Sequence, residues 1–180
     1  MRRKFFLVGF LVVTFTAPAQ KFVLTEGVIT FFSKATLEDI SAENTKISGI
    51  FNPGTHEIAF VIPNNQFQFE KKLMQQHFNE KYMESDKFPR STFSGTLKGF
   101  ENFKPGEQVV TAVGELTIHG VTKIVEVPGT IEVAQDRIFI KSKFMIKLAD
   151  YSIKIPQLLW QNIAETIEVA VAVTFTHKPQ

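Results

Sequence analysis

The sequence predicts an all-β domain, a closed antiparallel barrel or a sandwich of about eight strands, and three observations carry that prediction. Beyond residue 20, apolar and polar residues alternate with period two over most of the chain, the mark of strands with one face buried and the other in water. Turn signals, NPG, KPGE and HG, separate alternating runs. The buried parity also switches between even and odd numbers across the hairpins, which a two-residue loop requires.

Taken in order, residues 22–33 form the first strand. The stretch TKISGIFNPGTHEIAFVIP forms a hairpin with Pro53 and Gly54 as its turn, Ile47 and Phe51 on odd positions and Ile58, Phe60 and Ile62 on even ones. Residues 69–89, FEKKLMQQHFNEKYMESDKFP, break the pattern: Leu73, His77 and Phe78 recur at helical spacing among Lys, Gln and Glu, which predicts one or two helical turns over a barrel end. Strands resume at 91–98 and from 109 through 133. Within the latter, GELTIHGVTKIVEV pairs Ile118 with Val121, so that Leu116, Ile118, Val121, Val125 and Val127 share a face. His119 and Gly120 are then turn residues, where positive φ is needed and where glycine, and less readily histidine, is tolerated. Residues 137–148 place Ile138, Ile140, Phe144, Ile146 and Leu148 on even positions and Arg137, Lys141, Lys143 and Lys147 on odd ones. The last strand, 167–175, carries Ile167, Val169, Val171, Val173 and Phe175 on odd positions.

Domain organisation is simple. Arg2, Arg3 and Lys4 precede an apolar run over residues 5–16, and Ala17-Pro18-Ala19 supplies the small residues a signal peptidase reads. Residues 1–19 are therefore expected to be a signal peptide, with cleavage before Gln20, and residues 20–180 a single exported domain. The apolar run is too short to cross about 30 Å of hydrocarbon as a helix, so no stable membrane insertion is expected. Removing the three basic residues takes the formal charge from +2 to −1. No basic stripe remains to neutralise phosphates, and nucleic acid is not an expected partner. The chain has no cysteine, hence no disulfide framework, no thiolate metal site and no N-terminal lipidation signal. A homodimer is compatible with the sequence.

Catalytic signatures do not assemble. His56, His77, His119 and His177 are widely spaced, with no HxH or HExxH pattern, no serine sits in a GxSxG elbow, and there is no glycine-rich phosphate loop. No cofactor is implied. An enzyme acting on a lipid could draw only on His77, Tyr82 and Asp150. The abundant residue is phenylalanine, 19 in all, of which 15 follow residue 19. An eight-stranded barrel can be filled by such side chains or can hold one slender ligand, and the alternation alone serves both outcomes.

The motifs LMQQHFNEKYMESDKFPRSTFSG, GELTIHGVTK and DYSIKIP followed by IEVAVAVTF resemble, in the same order, those of the YceI-like family of exported bacterial proteins. The likeness extends over nearly all of residues 20–180. It implies an extended eight-stranded, lipocalin-like antiparallel barrel with one short helix near a barrel end, periplasmic or secreted after signal-peptide cleavage and holding a polyisoprenoid or another long lipid in its lumen. Ser152 stands where members often have glycine. On this reading the expected ligand-binding residues are Ile47, Phe51, Ile58, Phe60, Phe93, Leu97, Leu116, Ile118, Ile140, Phe144, Ile146, Val171 and Val173, with His77 and Tyr82 from the helical segment. Parity also places Lys123 and Asp150 on the buried side of their strands, where they would meet the ligand's polar end. An outer-membrane barrel fits less well, because its outer face would have to be apolar and this one carries Lys141, Lys143 and Lys147.

Overall fold

The computed structural model describes residues 21–34, 39–101, 104–134, 136–155 and 164–177; the expected signal peptide lies outside them. Ten strands form one sheet: β1 (Phe22–Ser33), β2 (Ile40–Asn44), β3 (Ser48–Asn52), β4 (Glu57–Pro63), β5 (Gln68–Phe69), β6 (Arg90–Lys98), β7 (Gly106–Ile118), β8 (Val121–Ala134), β9 (Arg137–Lys147) and β10 (Thr166–His177). The sheet order is β10-β9-β8-β7-β6-β4-β3-β1, and β1 pairs with β10 to close it. Eight antiparallel strands thus make a barrel, and the short β2 and β5 extend it beside the distal half of β1.

The HG hairpin has the predicted register, Ile118 opposite Val121, with φ of 50° at His119 and 75° at Gly120. The other hairpin differs from expectation. Asn52 pairs with Glu57, so its loop is the four residues Pro53, Gly54, Thr55 and His56, not a Pro53-Gly54 turn. Four residues preserve parity as two do, and His56 takes the left-handed conformation that ends the loop, with φ 60°. Asn52 Oδ1 accepts from the Gly54 amide at 3.0 Å and fixes the turn.

In β1 the ladder slips between Leu24 and Glu26. This bulge at Thr25 adds one residue to the strand, so the inward parity changes from Phe22 to Ile29, Phe31 and Ser33. Between β6 and β7, Gly95 faces Gly114 directly. A Cβ on Gly114 would clash with the Ser94 carbonyl oxygen and the Gly95 Cα, so only glycine allows the two backbones to approach this closely.

The helical segment is α1 (Lys72–His77) followed by a π turn over Phe78–Tyr82. Leu73 points to solvent, 62% exposed, contrary to the expected Leu73–His77–Phe78 stripe; the face toward the barrel is instead formed by Met74, His77, Phe78 and Tyr82. Asn64, fully buried, secures the chain on both sides of this segment. Its Nδ2 donates to the Phe88 carbonyl at 2.7 Å, its Oδ1 accepts from Ser91 Oγ at 2.8 Å, and its amide donates to the Pro89 carbonyl at 2.9 Å. Asn64→Ala leaves two partly buried groups, the Phe88 carbonyl and the Ser91 hydroxyl, without this partner, each worth about 1–2 kcal/mol. A loss of about 2–4 kcal/mol in denaturant unfolding is expected.

Candidate functional site

One end of the barrel is filled and the other is hollow. At the filled end, Phe51 and Phe175 are fully buried. The Phe51 ring lies 5.4 Å from Phe100 and 6.3 Å from Phe175, while Phe22 stacks edge-on against His177 at 5.6 Å. Towards the helical segment the wall encloses a cavity of about 360 Å³, within the range of small-molecule sites. Its lining combines barrel residues such as Ile29, Ile62, Val110, Ala112, Val127 and Val169 with Phe67, Phe69, Met74, Phe78 and Met83 from the cap. Under α1, the rings of Phe31, Phe67, Phe69 and Phe78 form one cluster with centroid separations of 5.1–5.6 Å.

Among the described residues, no lysine, arginine, aspartate or glutamate lines the cavity. The polar side chains that do are Ser33, His77, Tyr82, Ser91 and Ser142. Three are already engaged: Ser33 Oγ accepts from the Ala164 amide, Ser91 donates to Asn64, and Ser142 donates to the Pro128 carbonyl. His77 and Tyr82 make no side-chain hydrogen bond among the described residues, which leaves both able to meet a ligand. Burial raises the Tyr82 pKa above the ordinary phenol value, so at neutral pH it presents an uncharged hydroxyl that donates and accepts.

Of the sequence-predicted residues, Ile58, Phe60, His77, Tyr82, Phe93, Leu97, Leu116, Ile118, Ile140, Phe144, Ile146 and Val171 line this cavity. Ile47, Phe51 and Val173 do not. They are buried but belong to packed parts of the core: Phe51 sits in the aromatic plug, and Val173 covers Gly27, where a Cβ would come within 2.6 Å of its Cγ1. Lys123 and Asp150 are also outside the lumen. Lys123 shares its face with its ladder partner Leu116 as parity requires, yet at the rim its long stem carries the ammonium into water. There Nζ lies 3.7 Å from Asp150 Oδ1, both side chains about half exposed. The two charges face each other, not the cavity.

His119 does more than turn a corner. Its ring is one-tenth exposed; Nε2 is 2.9 Å from Glu84 Oε2, Nδ1 is 3.2 Å from the Tyr151 carbonyl, and the ring packs on Phe88 at 4.4 Å. The hairpin tip thereby ties the segment after the helix to the bend after β9. That bend ends at Ser152 with φ 56°, the left-handed conformation that explains why a glycine suits the position.

A closed eight-stranded antiparallel barrel with an apolar lumen under a short helical cap defines a lipocalin-like barrel. The chain belongs to the YceI-like domain family, which matches residues 12–175. Among solved structures, it is similar to a polyisoprenoid binding domain from Saccharophagus degradans, at 17% identity and a TM-score of 0.75, covering 87% of this chain and 98% of that one. It is also similar to BcnA from Burkholderia cenocepacia, at 16% identity and TM-score 0.70, covering 82% and 95%. A YceI protein from Campylobacter jejuni aligns over 99% of this chain and 100% of its own, at 17% identity and TM-score 0.55. No curated protein matches the sequence significantly.

Proposed function

We propose that this protein is an exported binding protein that holds a long apolar chain, a polyisoprenoid or a similar lipid, in the barrel lumen for transport, storage or sequestration. The observation that carries this reading is the cavity of about 360 Å³ with no charged side chain among the described residues of its lining. Burying a methylene there yields about 0.8 kcal/mol before ordering costs. The polyisoprenoid binding described for the Saccharophagus domain supports the same class of ligand.

The polar end of the ligand is uncharged. A phosphate or carboxylate drawn into the lumen would lose its water and find no cation among the described lining residues, a cost of several kcal/mol. A hydroxyl or carbonyl would find His77 and Tyr82 beneath the cap. The role is binding: among the described residues neither His77 nor Tyr82 is hydrogen-bonded to a group that would orient it as a general base or nucleophile.

Mass spectrometry of protein recovered from the periplasmic fraction tests the proposal. Under native conditions a non-covalently held, neutral long-chain lipid is expected; under denaturing conditions the chain mass should equal residues 20–180, allowing for cyclisation of Gln20. Protein recovered empty from cells that make such lipids would count against the carrier role. A full-length chain in the membrane fraction would overturn the export reading separately.

A further inference from the structure

Strands β8 and β9 are neighbours in the wall, yet they pair only from Gly129 opposite Ser142 to Ala134 opposite Arg137. Residues 121–128 and 143–147 belong to the same two strands and share no ladder pair. The cause is local. Ser142 Oγ donates to the Pro128 carbonyl at 2.6 Å, which shows that the polar groups of Pro128 face β9, since in an antiparallel ladder one residue's N–H and C=O point to the same neighbour. The next pair of bonds would need the N–H of Pro128, which proline lacks, and the remaining acceptor is taken by the serine hydroxyl. Gly129 makes the last pair possible: a Cβ there would lie 2.6 Å from the Lys141 carbonyl oxygen.

At the rim the strands are tied again by Lys123–Asp150 at 3.7 Å and by His119 on the Tyr151 carbonyl at 3.2 Å. The result is a seam framed at both ends, about five residues or roughly 16 Å long at about 3.3 Å per residue. Val127, Phe144 and Ile146 line both the seam and the cavity. On the outer face of the same two strand segments, Ile124 and Met145 are 71% and 59% exposed. Unpaired edges invite another chain to add a strand, and proline and lysine are the usual guards; Pro128, Lys143 and Lys147 occupy this one. Passage along the barrel axis would instead have to part the aromatic cluster under α1 or the phenylalanine plug at the filled end.

We propose that the unpaired β8–β9 seam is the side portal through which an apolar chain passes into the lumen, with Pro128 as the residue that keeps it open. This rests on the lumen-binding reading above. Glu126 and Met145 are the positions that the β8–β9 register, if continued, would set opposite each other; neither lines the cavity, and the chain has no other thiol. In Glu126→Cys/Met145→Cys, release of bound retinol, a neutral isoprenoid alcohol, to lipid vesicles is followed by its fluorescence. Oxidation should slow release by about tenfold or more and reduction should restore it, with equilibrium affinity unchanged. Pro128→Val, which returns the missing N–H, should slow release in the same direction without a crosslink, and it decides the matter if the cysteine pair does not oxidise. Retinol that binds normally but leaves both closed variants at the wild-type rate would overturn the portal. A wild-type protein that binds no retinol and no longer prenol at equilibrium would overturn the lumen reading itself.

Discussion

Phe51→Ala is expected to destabilise the barrel by about 3–5 kcal/mol, the usual cost of removing a fully buried aromatic ring. Phe51 has no exposed surface. It pairs with Phe22 in the wall and packs on Phe100 and Phe175, so two other rings lose their partner and the rigid β3 and β1 backbones cannot collapse into the gap. For a domain of this size the melting temperature should fall by roughly 6–20 °C. Because Phe51 lies outside the lumen lining, ligand that is bound below the transition should keep its wild-type dependence on chain length. A loss below about 1 kcal/mol would show that the filled end is loosely packed.

The second large effect is on binding. Ala112 lines the lumen, between its ladder partners Leu97 and Val127, where a small side chain leaves room. Ala112→Phe places a ring in that room and displaces roughly three or four ligand methylenes, about 2.5–3 kcal/mol, or roughly a hundredfold in affinity for geranylgeraniol. Geraniol, short enough to lie clear of the ring, should bind as before. Isothermal titration of both prenols against both proteins separates this from damage to the fold, which would weaken the two ligands alike.

Much of the barrel was legible because period-two alternation and hairpin parity depend only on local sequence. GELTIHGVTKIVEV fixed its own register, and Ile140, Phe144 and Ile146 announced one face of β9 without help. The bulge at Thr25 was not legible: an extra residue changes inward parity midway along β1, so Ile29 and Phe31 read as if they faced the other way from Phe22. The cap residues Phe67, Phe69 and Met74 were missed because they come from a turn, a two-residue strand and a short helix, where no simple period reports orientation. Division of the core into a packed end and a hollow end was equally hidden. Phe51 and Phe93 alternate alike, and only the three-dimensional meeting of Phe22, Phe51, Phe100 and Phe175 decides which end is full. Parity did put Lys123 on the face of Leu116, but it cannot say how far a flexible stem travels at a rim, and the ammonium reaches Asp150 instead of the lumen. His119 was readable as a turn residue; its contacts with Glu84 and Tyr151, 35 and 32 residues away, were not.

The central claim is that the lumen binds an apolar chain lengthwise and takes an uncharged end. Titration of the protein with geraniol, farnesol and geranylgeraniol, each as the alcohol and as the pyrophosphate, tests it most directly. The account predicts that affinity for the alcohols climbs by about tenfold or more with each isoprene unit until the cavity is full, and that each pyrophosphate binds more weakly than its alcohol. Affinity that does not change with chain length would contradict it.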